Sequence, residues 1–104
     1  MTACLSFRDN SSESRFEADF SDGSIAIAQY YLNGDTITFT HTAVPGAHEG
    51  QGVGSALVRF ALKSARSRGL KVVPLCPFVA AFIKKHPEEQ DLLDPEFRSR
   101  QRLD

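Results

Sequence analysis

Tryptophan is absent from the 104 residues, cysteine occurs only twice, and the charges nearly cancel, leaving a net of −1. Each shortage removes a class of explanation. Cys4 and Cys76 are too few and too far apart for a disulfide framework, and no Cys/His grouping has zinc-ligand spacing, so no metal is expected. A near-zero net charge supplies no global field toward nucleic acid or a membrane surface. No apolar run approaches the roughly 20 residues needed to span a bilayer. The opening "MTACLSFRDN" lacks a basic stretch followed by an apolar run, so no signal peptide is expected and a cytoplasmic location is the default expectation.

What is present fits one ordinary globular domain over residues 1–104. The chain is 41% apolar and 24% charged, enough for a single core of aromatic character supplied largely by eight phenylalanines. Segments 1–14 and 94–104 are polar or charged and are expected to be flexible or peripheral, with "RDNSSES" (residues 8–14) read as a mobile turn-forming stretch. "RFEADF" alternates as a strand, "SIAIAQYYL" follows, and Asn33-Gly34 is a hairpin signal. "DTITFTHTAV" alternates again, with Ile37, Phe39, His41 and Ala43 on one side and the threonines on the other. Three antiparallel strands are thus expected before residue 45.

Gly50, Gly52 and Gly54 then precede a helical stripe of Val53, Leu57, Val58, Ala61, Leu62 and Ala65, which Gly69 can end. "LKVVPL" reads as a buried strand with a break at Pro74, parallel to the strand before the helix. "PFVAAFIKKH" reads as a second helix opened by Pro77 and stopped by Pro87. The fold class is therefore α/β (α+β), a mixed, mostly antiparallel sheet with two flanking helices.

A strand, a glycine loop and a helix N-terminus together form an anion site. The first N–H groups of a helix lack partners, the helix dipole adds partial positive charge, and glycine keeps side chains out of the way. A P-loop is excluded because Ser55-Ala56 follow Gly54 where Lys-Ser/Thr is required, and the dinucleotide spacing G-x-G-x-x-G does not occur. The residues alone reach no further than a phosphate-bearing ligand, against the plainer alternative of a turn.

The stretch "HTAVPGAHEGQGVGSALVRFALKSARSRGLKVVPLCPFVAAFIKKHPEEQDLL", His41 to Leu93, resembles the small single-domain acetyltransferase-like group of the GNAT superfamily. The pyrophosphate loop of that superfamily runs Gln/Arg-x-x-Gly-x-Gly/Ala. The frame here is Glu49-Gly50-Gln51-Gly52-Val53-Gly54, with Glu49 at the position where Gln or Arg is usual. "EGQGVGSALV", "HTAVP" and "VVPLCPFV" are familiar from the small group. The resemblance implies a minimal GNAT-like fold and acetyl-CoA as acyl donor. It further implies that N–H groups of Gln51, Gly52, Val53, Gly54 and Ser55 hold the pyrophosphate, and that Ala43 and Val44 pair with the pantetheine arm. Relatives place a tyrosine in the second helix to protonate the leaving thiolate; none occurs in "PFVAAFIKKH".

Cys76, expected at the N-cap of that helix, is the candidate replacement as nucleophile or as acid–base group, since helix N-termini favour the thiolate. The alternative is a packed core thiol. His41 is a candidate base or orienting group, or else a core residue on the apolar strand face unless a bulge intervenes. His48 is expected solvated in the loop and His86 at a helix end. Lys84 and Lys85 are read as a solvated face or as contacts to coenzyme phosphates. Phe78, Val79, Phe82 and Ile83 are expected to form one buried stripe. The function expected is acetyl transfer from acetyl-CoA to an unidentified amine, with an oligomer left open. The alternatives are a coenzyme-binding module without turnover and an interaction domain.

Overall fold

Chain order and sheet order coincide. The computed structural model describes residues 6–95, and its five strands lie side by side as β1 (Ser6–Asn10), β2 (Arg15–Asp19), β3 (Ile25–Asn33), β4 (Thr36–Ala43) and β5 (Lys71–Pro74). The first four pair antiparallel, while β5 returns parallel to β4 after a crossover helix, α1 (Val53–Ser67). Helix α2 (Pro77–Lys85) follows, then a 3₁₀ segment (Pro87–Leu92), and Leu93 bridges back to Val72. Cys4 and the end of the charged tail lie outside the described residues.

The sequence reading has three strands before the glycine loop; the structure has four. Residues 8–10, expected in a mobile stretch, complete β1, where Arg8 faces Glu17 and Asn10 faces Arg15; the turn itself is confined to residues 11–14. The hairpin turn is displaced by one residue as well. Asn33 still pairs with Thr36, so Gly34 and Asp35 make the turn, and Gly34 alone takes the positive φ of 62°.

Helix α1 buries the predicted stripe of Val53, Leu57, Val58, Ala61, Leu62 and Ala65. The facing sheet residues are Phe16, Ala18, Ala26, Ala28, Tyr30, Ile37 and Phe39, all in the same core. Alanines in β2 and β3 let the helix approach, and each buried leucine contributes about 1.5–3 kcal/mol. Gly69 (φ 70°) ends the helix by sending its N–H to the Arg66 carbonyl while Leu70 N–H reaches the Ala65 carbonyl.

Strand β4 holds the main departure from simple alternation. Tyr30 faces Phe39, but Gln29 faces His41, so Thr40 is an extra residue in a β-bulge. Beyond it the phase reverses. His41 is exposed on the Gln29 side, and Thr42 lies opposite buried Ala28 on the helix side. The expectation that His41 and Ala43 share a face with Ile37 and Phe39 therefore fails for a local backbone reason.

Two contacts fix the layers. Arg66 forks onto Asp91 (2.8 and 2.9 Å) and reaches Glu89 (3.2 Å), tying the 3₁₀ segment to α1. Where α1 meets α2, a Cβ on Gly54 would lie 2.7 Å from Cζ of Phe78. Phe78 thus leaves the expected buried stripe, being 43% exposed, and lays its ring over Gly54; Val79, Phe82 and Ile83 remain buried.

On the sheet face away from the helices, Glu17 is only 1% exposed. Arg15 Nε and Asn10 Nδ2 donate to Oε2 at 2.6 and 2.9 Å, and Arg8 pairs with the carboxylate. Burial pushes the Glu17 carboxyl up, but Arg15, Asn10 and Arg8 together outweigh it and hold the group below the usual carboxylate range.

Because the folded value is lowered, the stabilisation from Glu17 is full above the ordinary glutamate range and is lost as pH falls through the folded value. Glu17→Gln should cost about 1 kcal/mol at pH 7, limited by the half-exposed arginines, and should flatten the acid limb of a melting-temperature profile. Gly54→Ala should cost about 1 kcal/mol through the collision with Phe78. In Gly54→Ala/Phe78→Ala the two penalties should sum to less than their separate values, as a four-way thermal-melt cycle would read.

Candidate functional site

Strands β4 and β5 run together from Thr36–Lys71 to Phe39–Pro74 and then part. Lys71 N–H donates to the Asp35 carbonyl on the β4 side while the Val72 carbonyl accepts from Asp94 on the other edge, so Leu75 is the next residue in phase to meet β4 and Pro74 sits with its nitrogen away from it. Leu75 N–H turns back to the Val73 carbonyl, and Cys76 N–H takes the Phe39 carbonyl at 2.9 Å. The remainder of β4, from Thr40 to Ala43, has no partner on β5. A cleft of about 390 Å³ opens beside it.

Thr42 and Val44 form one wall of this cleft, and His48, Glu49, Gly50 and Gly52 form its rim. Val53, Gly54 and Ser55 contribute the start of α1, and Phe78 closes the side toward α2. Gly50 and Gly52 carry φ of 83° and 78°, and a Cβ on either would meet nothing within 4 Å. Their requirement is conformational, whereas that of Gly54 is the space taken by Phe78. The first bond of α1 runs from Ala56 N–H to the Gly52 carbonyl, and no side chain caps the helix. The N–H groups of Val53, Gly54 and Ser55 are therefore the free donors of the helix end, at the wall of the cleft.

Of the residues expected to bind coenzyme, Val44, Gly52, Val53, Gly54 and Ser55 line the cleft, whereas Ala43 and Gln51 do not. Ala43 is exposed at the end of β4, and Gln51 is exposed with its Oε1 3.4 Å from His48 Nδ1. His41 is also absent from the lining. Cys76 is the N-cap of α2, as expected, but it is only 4% exposed and stands behind Thr42, to whose Oγ1 its thiol donates at 3.4 Å. The bulge at Thr40 is what turns that hydroxyl inward.

His48 corrects an expectation. Rather than being solvated, it stacks on Phe20 with centroids 3.7 Å apart and planes 9° from parallel, and its Nε2 lies 2.8 Å from Asp22 Oδ2. The Asp22 carboxyl is held far below the usual range by the Ser24 hydroxyl and N–H, with His48 adding to them. The glycine loop is thereby moored to the β2–β3 turn. Its signal in sequence is an aromatic–histidine pair separated by 28 positions (48 − 20), which no local pattern can reveal. Glu49 lines the cleft without capping α1. Among the described residues no group of three or more His, Cys, Asp or Glu could hold a metal ion, and no helix is long and apolar enough to cross a membrane.

The family model for GCN5-related N-acetyltransferases matches residues 15–92, from β2 through the 3₁₀ segment that follows α2. No curated protein matches the chain. A GCN5-like protein from Staphylococcus aureus, solved by NMR in solution, superposes with a TM-score of 0.67 at 27% identity, covering 86% of this chain and 88% of that one. The matched span contains the parting strands, the glycine loop and both helices, and a fold of this kind generally serves acetyl transfer from acetyl-CoA. By that match and this architecture, the chain belongs to the GCN5-related N-acetyltransferase family.

Proposed function

We propose that the protein transfers an acetyl group from acetyl-CoA to an amine acceptor in the cleft between β4 and α2. The observation that carries this reading is the convergence of three free helix N–H groups and two left-handed glycines on a cleft beside an unpaired strand end. Backbone N–H groups from Gln51 to Ser55 hold the pyrophosphate, with Val53, Gly54 and Ser55 at the wall itself. The free edge of β4, through Ala43 and Val44, meets the amide groups of the pantetheine arm. His48 acts on the loop by holding it to Asp22 and Phe20.

Acetyl-CoA supplies an activated thioester. In the transfer the acceptor nitrogen forms a bond to the acetyl carbon, the carbon–sulfur bond breaks, the sulfur takes up a proton and the amine gives one to solvent. With no tyrosine in α2, the thiol of Cys76 at its N-cap serves as proton donor, one hydroxyl (Thr42) away from the cleft. Its burial favours direct attack by the amine over passage of the acetyl group through the thiol. His41, exposed on the far face, serves as base only for an acceptor arriving from that side. The missing tyrosine equally favours a second reading, a coenzyme-binding module without turnover.

Calorimetric titration of the purified chain with acetyl-CoA should give one-to-one binding in the micromolar range. Absence of heat at millimolar ligand, repeated at a second temperature, would leave the glycines as a turn. Release of coenzyme thiol across a broad amine panel separates the enzyme from the module. Cys76→Ser should lower turnover by about 10²-fold, in the range of general-acid contributions, while leaving the dissociation constant of acetyl-CoA unchanged. Intact wild-type protein quenched after exposure to acetyl-CoA should show no added acetyl mass; an adduct missing from Cys76→Ser would instead establish the covalent route.

A further inference from the structure

The imidazole of His48 joins the rim of the cleft to the turn between β2 and β3. Its Nε2 lies 2.8 Å from Oδ2 of Asp22 in that turn, and its face lies on the ring of Phe20 at 3.7 Å. On the loop side, Nδ1 lies 3.4 Å from Oε1 of Gln51, the residue between the two left-handed glycines. Asp22 is itself fixed, because its Oδ1 accepts from the Ser24 hydroxyl and N–H at 2.6 and 3.0 Å. Those bonds keep its carboxylate ionised across the whole range in which a histidine changes charge.

The charged groups around the ring are Asp22, facing it from the turn, and Glu49, next to it in the chain. Phe20 and Gln51 are neutral, and the start of α1 brings only Val53, Gly54 and Ser55 to the cleft. An imidazolium gains over a neutral ring at each contact. It pairs with the Asp22 charge, places a cation over the Phe20 face, and carries an N–H on each nitrogen, so that Asp22 and Gln51 can both accept. The His48 side chain is 13% exposed and that of Asp22 54%, so water weakens the pair without removing it.

We propose that Asp22 is a positioning residue for coenzyme binding, acting through His48, and that the contribution of this pair to affinity is lost as pH rises through the histidine range. The inference rests on the coenzyme occupying the cleft as described above. With the ring charged, the loop is moored to the turn and the N–H groups of Val53, Gly54 and Ser55 are aimed into the cleft. As the ring loses its proton the moored fraction falls, and the apparent dissociation constant rises in proportion. Asp22 does not line the cleft, so its effect reaches the ligand only through the loop. Neither His41 nor His86 lines the cleft, so the other two histidines have no such role.

The test is calorimetric titration of the full chain with acetyl-CoA at about pH 5.5 and about pH 8.5, for wild type, Asp22→Asn and His48→Gln, with thermal melts showing that each variant is folded. Phosphate monoesters change charge in the same range, so the readout is the ratio of dissociation constants between proteins at each pH. Asp22→Asn keeps an acceptor for Ser24 and loses the charge. It should bind about fivefold more weakly than wild type at the lower pH, the size of a partly exposed ion pair, and like wild type at the higher pH. Rising salt should shrink the difference. His48→Gln should be weaker than wild type at both values, by more at the lower one. A charged His48 acting on the ligand directly gives the opposite sign, because Asp22→Asn removes a neighbouring negative charge. Binding by Asp22→Asn as tight as wild type or tighter at the lower pH would therefore overturn the proposal, as would a wild-type-to-variant ratio that does not change with pH. Both results leave the cleft reading standing, whereas failure of wild type to bind at either pH would overturn the two together.

Discussion

A parallel pair of strands can remain paired only while each contributes its donors in phase, and β5 stops doing so just after Pro74, where Leu75 N–H turns back to the Val73 carbonyl. The cleft depends on that one redirected N–H. Up to Phe39 the ladder is regular; after it the chain spends the Cys76 N–H on the Phe39 carbonyl and turns into α2, leaving the end of β4 without a neighbour on that side. The separation lets α2 lean against the start of α1 instead of extending the sheet. Gly54, Phe78 and the Arg66 fork onto Asp91 then fix how far it leans. Floor, rim and side wall of the site all follow from where the strands come apart.

The cleft handles charge with backbone rather than side chains. No lysine or arginine lines it, and Glu49 does. Attraction for an anion must come from helix-end N–H groups and from the dipole behind them, both effective only at short range. Loop geometry therefore carries more weight than loop composition, and this gives the stacked, doubly tethered His48 its importance. A shift of the loop away from the Phe20 ring would misdirect the donors without altering any group that touches the ligand.

Much of the fold was legible because the signals were local. The stripe from Val53 to Ala65, the Gly69 stop, Pro77 at the start of α2 and the break at Pro74 each depend on residues within a turn or two. β1 was missed because it is a polar edge strand, half of it exposed, whose pairing is set by Glu17 and Arg15 on the neighbouring strand. Gly52, Val53, Gly54 and Ser55, which the loop pattern singles out, lie together at the wall of the cleft. Sequence pattern falls short where distant segments meet: the spacing of Phe78 suits a buried stripe, and plain alternation turns Thr42 outward because a bulge leaves no local mark at Thr40. His48 reads as solvent-facing from sequence because Phe20 and Asp22 lie far back in the chain.

The extra residue at Thr40 makes β4 a strand with two parities. Odd positions face the core before it and even positions face the core after it, so one segment serves a hydrophobic layer and then a polar hydroxyl beside the Cys76 thiol. Pairing that residue into a regular ladder, with no bulge, would merge the parities: the Thr42 hydroxyl would rotate out to solvent and the His41 imidazole would rotate in beneath the cleft. The inventory of side chains would not change at all, yet the wall of the cleft would be rewritten, with a titratable ring in place of a neutral donor. In this fold the chemical character of the site is stored partly in the register of one strand.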